Sequence, residues 1–184
     1  KRTMQIAQGL YEGVDLGKDI GTVGLITYMR TDSTRVSPEA LTSVREFIET
    51  KYGANAVPKE ANVFKTKKSS QDAHEAIRPT SLDHTPDSVR KHLKDEQYKL
   101  YKLIWDRFVA SQMKEAVYDQ TSVEIEAAPK KTNGVTPSTY LLRTSGRVLK
   151  SPGWLEVYGT SADEPQAGAE DSKEEGGDQT STEA

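Results

Sequence analysis

The chain of 184 residues contains no cysteine, and this absence excludes two kinds of structure. Without a thiol, neither a disulfide bond nor a thiolate metal site can form, and cysteine usage leaves the redox compartment undetermined. Histidine is scarce as well, with three residues in the chain. Neither of the other two stands at ligand spacing from His74, so we do not expect a zinc site there.

Long hydrophobic runs are also absent. No apolar stretch approaches the roughly 20 residues that cross a bilayer as a helix, and the N-terminus lacks the pattern of a signal peptide. We therefore expect a soluble, cytoplasmic and monomeric protein that does not bind membranes. The sequence begins at Lys1 rather than at a methionine, and we expect that it was cut from a longer chain.

The net charge of −3 hides two segments of opposite sign. Residues 159–184 hold one lysine and eight carboxylates, a net charge of −7, whereas 24 basic and 20 acidic residues give residues 1–158 a net charge of +4. The final segment has no apolar periodicity, so we predict that it is a disordered acidic tail. The mildly basic remainder permits nucleic-acid binding without requiring it.

Residues 1–12, 38–52 and 95–113 show the periodicity of amphipathic helices. The second helix is predicted to begin at Ser37–Pro38–Glu39, where a capping hydroxyl precedes a proline and a carboxylate favoured in the first turn, and to end at Gly53. We interpret all three apolar faces as core, including the aromatic stripe of the third helix. The predicted core-facing residues are Met4, Ala7, Leu10 and Tyr11 in the first helix, Leu41, Val44, Phe47, Ile48 and Tyr52 in the second, and Tyr98, Tyr101, Ile104, Trp105, Phe108, Val109 and Gln112 in the third.

The periodicity changes from helical to alternating at Val117, which predicts β-structure. Asn133–Gly134 is a turn signal, and two or three further short strands are predicted at Tyr140–Arg143, Arg147–Lys150 and Trp154–Tyr158.

The expected fold class is therefore α+β. We predict a mainly helical domain at residues 1–114, an incomplete antiparallel β segment at 115–158 and the disordered tail at 159–184.

Polar side chains follow a short apolar run in residues 24–35, the first motif segment. The run begins like a buried strand and changes from Thr27 onward to hydroxyls, one carboxylate and two guanidinium groups, a mixture typical of a site. Tyr28 lies at this change, and its phenol is a candidate nucleophile, with Arg30 on the same side if the strand continues. Position alone favours the alternative of a half-buried ring with a hydrated hydroxyl.

Residues 71–80, the second motif segment, read Gln-Asp-Ala-His-Glu-Ala-Ile-Arg-Pro-Thr. One helical turn would place His74 and Arg78 on one face before Pro79 ends the helix. Two adjacent cations repel unless an anion such as phosphate lies between them, although such a pair is more often an exposed helix face. Three lysines precede this segment: Lys65, Lys67 and Lys68. Taken one at a time, each is best interpreted as an exposed surface residue, but as a group they could bind a phosphate backbone.

The two motif segments together resemble the signatures of one family. Gly24-Leu-Ile-Thr-Tyr-Met-Arg-Thr-Asp-Ser33 looks like the active-site tyrosine motif of type IA DNA topoisomerases, and the second motif segment resembles the other signature of that family's tyrosine-bearing domain. They occur in the family's order and at about its spacing. Met29 resembles the bacterial topoisomerase I branch, because the topoisomerase III branch tends to carry proline there.

The resemblance implies a chemistry and a role for each matched residue. In this family a tyrosine attacks a phosphodiester of single-stranded DNA, expels a 3′ hydroxyl and stays joined to the 5′ phosphate until the bond is resealed. By resemblance, Tyr28 is the nucleophile and Arg30 stabilises the transition state. His74 and Arg78 face the DNA backbone near the scissile phosphate, and we expect Asp32 to orient His74. The implied DNA-binding residues are His74, Arg78, Thr31, Asp32, Ser33 and Thr80.

The resemblance also implies that the chain is a fragment. In the family, magnesium and a general-acid lysine belong to a separate acidic Toprim domain, a further domain binds DNA opposite the tyrosine, and the β segment resembles one part of an arch domain. No acidic triad in a strand–helix setting is visible in this sequence. We therefore expect that this chain binds no cofactor and cannot relax DNA alone. Its expected partners are single-stranded DNA and the remainder of an enzyme that relaxes negatively supercoiled DNA.

Two alternatives remain at this point. A noncatalytic module could bind single-stranded DNA and use the tyrosine only for stacking. Composition alone would suggest a protein-interaction domain with an acidic tail. Neither alternative accounts for both motif segments. We further expect Tyr28 to lie at an open cleft, because the domains that would face it are missing.

Overall fold

The computed structural model describes residues 1–64, 74–128 and 139–159. Helices dominate the first part of the chain and a long β-ribbon the last, which confirms the α+β class. The helices are α1 (Arg2–Glu12), α2 (Pro38–Tyr52), α3 (Pro86–Val89) and α4 (Asp95–Ser111), and short 3₁₀ helices cover Ala54–Ala56, Arg90–His92 and Gly153–Tyr158. The strands are β1 (Val14–Asp15), β2 (Thr22–Val23), β3 (Val117–Ala127) and β4 (Tyr140–Ser151).

Helix α1 buries a narrower face than its sequence predicts. Ala7 and Leu10 lie in the core as expected, but Met4 is 51% and Tyr11 is 39% exposed, so the prediction for these two residues is wrong. The helix packs against α4, and one neighbouring helix covers only a narrow stripe of its surface. Tyr11 is consequently free to contact the segment that follows β2.

Helix α2 forms as predicted because its signals are local. The Ser37 hydroxyl accepts a hydrogen bond from the Ala40 N–H at 3.3 Å, and Gly53 ends the helix with a φ of 87° that favours glycine. Val44 and Ile48 are fully buried. The other residues of the predicted face are partly buried: Leu41, Phe47 and Tyr52.

The aromatic face of α4 is core, as predicted. Its buried members are Tyr101, Trp105, Phe108 and Val109, with Gln112 directly after the helix. The Tyr101 hydroxyl donates to the His84 carbonyl at 2.6 Å, and burial raises the pKa of this phenol. A hydrogen bond to backbone is the usual way to bury a tyrosine hydroxyl, so this ring has a structural role.

Gln112 and Asn62 hold the segment after α2 against the end of α4. The Gln112 side chain is fully buried. Its amide nitrogen donates to the Asn62 carbonyl at 3.0 Å and its oxygen accepts from the Asn62 N–H at 3.1 Å. The Asn62 side chain in turn donates to the carbonyls of Ser111, at 2.9 Å, and Met113, at 3.2 Å. This closed set of bonds fixes Asn62 against the end of α4.

Replacing Gln112 with leucine should therefore destabilise the fold. The substitution keeps the side chain's approximate size but leaves a partly buried N–H and a partly buried carbonyl of Asn62 without their partner, at a cost of about 2 kcal/mol in the free energy of unfolding. Urea unfolding followed by circular dichroism measures this difference. Gln5→Leu, on the exposed side of α1, is the matched control and should change stability by less than about 0.5 kcal/mol. Equal unfolding midpoints for the two variants would contradict the role assigned to Gln112.

Strands β3 and β4 form an antiparallel ribbon, paired from Val117 with Ser151 to Ala127 with Tyr140. Leu149, near its base, is buried, whereas most of the ribbon is exposed on both faces. The strand predicted from the alternating pattern at Val117 is therefore confirmed, but the apolar residues of this strand are not buried in the described structure. The Asn133–Gly134 turn lies outside the described residues, as do Lys65, Lys67, Lys68 and the predicted acidic tail beyond Gly159.

Two expectations for the last part of the chain are wrong. Tyr140–Ser151 is one continuous strand rather than two, and Trp154–Tyr158 is helical rather than extended. Gly153 has a φ of 49°, and a Cβ at this position would lie 2.3 Å from the Glu115 carbonyl oxygen, so the chain turns closely over the connection between α4 and β3. The Trp154 N–H then donates to the Lys114 carbonyl at 3.0 Å. The rings of Trp154 and Tyr158, four residues apart, meet edge to face.

No helix in the described ranges has both the length and the apolar character needed to cross a membrane. The boundaries at residues 114 and 158 stay predictions.

Candidate active site

The two motif segments lie side by side, although about fifty residues separate them in the chain. Ile26 pairs with Pro79 in an antiparallel bridge. One residue further along the first motif segment, the Thr27 N–H donates to the Arg78 carbonyl at 2.9 Å. Ile26 and Pro79 are fully buried, so this pairing anchors both segments in the core. The structure thus brings the two groups of candidate residues to one place.

Threonine hydroxyls fix the pairing from both sides. The Thr27 hydroxyl donates to the Ala76 carbonyl at 2.9 Å and accepts from the Arg78 N–H at 3.0 Å. The Thr80 hydroxyl donates to the Gly24 carbonyl at 2.7 Å. Thr80 therefore supports the site through the backbone of the first motif segment. This role of Thr27 was not predicted from the sequence. The signal that could have indicated it is the position of Thr27 directly before Tyr28.

The second motif segment does not form the helical turn expected at His74–Arg78; from His74 onward it is irregular, with a bridge to the first motif segment at Pro79. Its backbone groups bond to the first motif segment instead of to each other: the Ala76 N–H donates to the Arg35 carbonyl at 2.8 Å, and the Arg78 N–H donates to Thr27. These long-range bonds replace those of a helix, so the predicted helical face does not exist.

Tyr28 is not buried in a closed core: it lies at the surface with 55% of its area exposed, and the open cleft expected around it stays a prediction. Its ring meets the ring of Tyr11 edge to face, with centroids 5.4 Å apart and an interplanar angle of 68°. Directly after it, the Arg30 N–H donates to the Tyr28 carbonyl at 3.0 Å, the pattern of a three-residue turn. The strand does not continue past Tyr28. The alternation of a strand, which would have placed the Arg30 side chain on the same side as that of Tyr28, is therefore absent.

The two candidate arginines are held very differently. Arg78 is enclosed: its guanidinium donates to the Glu75 carboxylate at 2.7 and 3.0 Å and to the Pro79 carbonyl at 3.0 Å, and 15% of its side chain is exposed. The Arg30 side chain is 39% exposed, and among the described residues its guanidinium makes only long contacts, of 3.4 and 3.5 Å, with Asp32. Exposed ion pairs of this kind contribute little stability. Arg30 is therefore the accessible cation of the pair.

Asp32 bonds to Arg30, and no described hydrogen bond joins it to His74. The Arg30 guanidinium lowers the pKa of the Asp32 carboxyl below its usual value, and His74 adds a smaller lowering. The Ser33 hydroxyl is buried and donates to the His74 carbonyl at 2.7 Å. His74 Nδ1 is buried and has no hydrogen-bond partner among the described residues. Thr31 is exposed.

A groove of about 530 Å³ opens between α2 and the second motif segment. Arg78 and Thr80 belong to its lining, but Tyr28 does not, so the groove is separate from the exposed phenol. Its other lining residues include the carboxylates of Glu39, Glu46 and Asp83, which would repel a phosphate.

Within the described ranges, no three histidine, aspartate or glutamate side chains converge as metal ligands would. The expectation that magnesium is bound by another segment stays a prediction.

The comparisons with known proteins agree with the two motif segments. The family model described as DNA topoisomerase matches residues 1–183. The chain is 45% identical over 172 residues to DNA topoisomerase 1 of Xylella fastidiosa strain Temecula1, covering 93% of this chain and 20% of that protein. It is 42% identical over 165 residues to DNA topoisomerase 1 of Rickettsia felis, covering 89% of this chain and 20% of that protein.

A solved structure supports the same relationship. Full-length topoisomerase I from Thermotoga maritima is similar with a TM-score of 0.62 and 38% sequence identity, over 92% of this chain and 25% of that one. The chain belongs to the DNA topoisomerase family. Within this family it belongs with the bacterial type I enzymes. It spans about a fifth of the length of the curated relatives it matches.

Proposed function

We propose that this chain is the tyrosine-bearing fragment of a type IA topoisomerase. In the whole enzyme it cleaves and reseals single-stranded DNA through a 5′-phosphotyrosyl intermediate, and the enzyme thereby relaxes negatively supercoiled DNA. The observation that supports this most strongly is the exposed Tyr28 phenol, on a segment fixed in the core and followed by the accessible Arg30.

The chemistry follows from the two side chains. The Tyr28 phenol loses its proton, and its oxygen attacks phosphorus and forms a bond with it. The bond from phosphorus to the 3′ oxygen breaks at the same time. The 3′ oxygen takes up a proton and leaves as a hydroxyl. Because the phosphodiester energy is conserved in the tyrosyl ester, the 3′ hydroxyl can reverse the reaction without a nucleotide cofactor. Negative charge gathers on the phosphoryl oxygens in the transition state, where the Arg30 guanidinium can stabilise it.

The proposed DNA-binding residues divide into two groups by their contacts. Thr31 and Asp32 are exposed and available to DNA directly. Ser33, Thr80 and Arg78 already bond within the protein, so they support the shape of the site, and Arg78 would have to leave Glu75 to reach a phosphate. For His74, the unpartnered Nδ1 is the observation that favours a role toward DNA.

The remaining elements of the proposal concern the whole enzyme. We propose that magnesium and the Toprim and DNA-binding domains are supplied by other segments, that the enzyme is a cytoplasmic monomer, and that this chain alone does not relax DNA. The chain's length, about a fifth of that of its relatives, supports the need for further domains.

Covalent trapping tests the proposed function. The chain is mixed with end-labelled single-stranded DNA, alone and with a Toprim-containing fragment supplied in trans, and the reaction is stopped with denaturant. We expect a protein–DNA adduct with the partner present, linked to the 5′ phosphate side of the break, so that label at the 3′ end of the DNA stays with the protein. Tight DNA binding without an adduct, under the same conditions, would favour the noncatalytic DNA-binding module.

A further inference from the structure

We propose that Tyr11, in the last turn of α1, is a positioning residue that holds the Tyr28 ring in the orientation needed for attack. The inference rests on the proposed role of Tyr28 as the nucleophile. It is carried by the edge-to-face contact between the two rings, 5.4 Å from centroid to centroid. The sequence pattern assigns Tyr11 to the core, whereas the structure places it 39% exposed and against the candidate nucleophile.

The Tyr28 side chain needs such a contact because, among the residues that the structure describes, hydrogen bonds fix only its backbone. Thr27 binds the second motif segment on one side and the Arg30 N–H closes a turn on the other. The ring itself projects from this anchored backbone with more than half of its surface exposed. An exposed side chain samples several staggered rotamers, whereas displacement at phosphorus requires the nucleophile in one narrow geometry. The Tyr11 ring restricts this choice.

Tyr11 can do so because its backbone is fixed and the residue is less exposed than Tyr28, 39% against 55%. The residue before it, Leu10, is fully buried and its carbonyl accepts a hydrogen bond from the Leu25 N–H at 2.8 Å. Gly24 lies so close that a Cβ there would stand 2.6 Å from the Tyr11 carbonyl oxygen. The end of α1 and the start of the first motif segment are therefore in direct backbone contact. A movement of the Tyr11 backbone would require α1 to leave the core.

The contact depends on the ring of Tyr11 and not on its hydroxyl. Edge-to-face pairs are attractive because the positive edge of one ring meets the negative face of the other. We therefore expect Tyr11→Ala to lower the rate of DNA cleavage at saturating DNA by about 3- to 10-fold, with little change in DNA affinity. Tyr11→Phe keeps the ring and should restore the rate. A role of the Tyr11 hydroxyl in proton transfer predicts the opposite, a defect in Tyr11→Phe as well.

The first measurement is single-turnover cleavage of a single-stranded oligonucleotide by the whole enzyme that contains this segment, with the maximal rate and the dissociation constant determined separately. Tyr158→Ala is the matched control, because Tyr158 is 42% exposed and belongs to another edge-to-face pair, with Trp154 at 5.9 Å. This control should leave the cleavage rate unchanged. A role of Tyr11 in stacking on DNA would instead weaken DNA binding and leave the maximal rate intact, and that result would overturn the proposal.

The second measurement observes the ring directly and does not depend on cleavage. The enzyme is labelled with 3-fluorotyrosine, and the ¹⁹F signal of Tyr28 is assigned with Tyr28→Phe. The signal should shift in Tyr11→Ala and stay nearly in place in Tyr11→Phe; an unchanged signal in Tyr11→Ala would overturn the proposal. If Tyr28→Phe still cleaved DNA, the proposed nucleophile would fail, while the fluorine signal would still decide whether Tyr11 orients the Tyr28 ring.

Discussion

Tyr28→Phe should abolish the covalent DNA adduct and leave DNA binding nearly unchanged. The substitution removes a single oxygen atom from a side chain that is 55% exposed, and the remaining ring keeps its contact with Tyr11. Without the phenol no side-chain oxygen is present at this position to form the phosphotyrosyl ester, so we expect adduct formation to fall by at least about a thousandfold. Denaturing gels of trapped reactions measure the adduct, and filter binding under native conditions measures affinity.

The control for this experiment is Tyr158→Phe, which removes the same atom from another exposed tyrosine and should form the adduct at the normal level. An adduct that persisted in Tyr28→Phe would assign the nucleophile to a different residue. Loss of both adduct and DNA binding would show that the hydroxyl contributes to binding, and the missing adduct would then not identify Tyr28 as the nucleophile.

The parts of the fold that could be predicted from the sequence are those whose signals are local. Helix α2 carries its own cap at Ser37 and its own ending at Gly53, and both are observed. The apolar face of α4 recurs at helical spacing, and its central residues Tyr101 and Trp105 are buried. In these elements nearby residues decide the backbone conformation, so the sequence pattern is sufficient.

The predictions that are wrong concern segments whose conformation depends on distant partners. The expected helical turn at His74–Arg78 is absent because Thr27, about fifty residues earlier, takes its backbone hydrogen bonds. The expected strand at Trp154–Tyr158 is absent because the preceding Gly153 turns the chain against the end of α4. Periodicity within a short segment contains no information about such contacts.

The candidate site shows the same division. The motif identified Tyr28 and Arg30 from residues that are adjacent in the chain, and both are accessible in the structure. It could not reveal that Glu75 encloses Arg78 or that Tyr11 contacts Tyr28, because these depend on side-chain geometry and on the return of the chain beside α1. The sequence thus indicated the proposed reacting groups, and the structure was needed to find the residues that contact them.

Arg30→Ala should lower the rate of DNA cleavage by about a hundredfold. Removal of one preorganised donor from a charge-stabilising site typically reduces the rate by a factor of this order, and the structure leaves Arg30 free to act as that donor. Its contacts with Asp32 are long and exposed, whereas Arg78 is enclosed by Glu75 at 2.7 Å. Arg30→Lys should recover only part of the rate, since a lysine cannot bind two phosphoryl oxygens in the planar geometry of a guanidinium. Single-turnover cleavage at saturating DNA measures both variants.

Two further measurements decide what such a loss means. Arg2→Ala removes the same charge from an arginine that is 77% exposed and paired with Glu96 at 2.8 Å. If this control lowered cleavage as much as Arg30→Ala, the effect would be general electrostatic attraction of DNA. The pKa of Asp32, followed by ¹³C NMR, should rise toward its ordinary value in Arg30→Ala, because Arg30 is the main cause of its lowering. A normal cleavage rate in a variant whose Asp32 pKa has risen would show that catalysis does not need the guanidinium, whose role would then be limited to its pairing with Asp32.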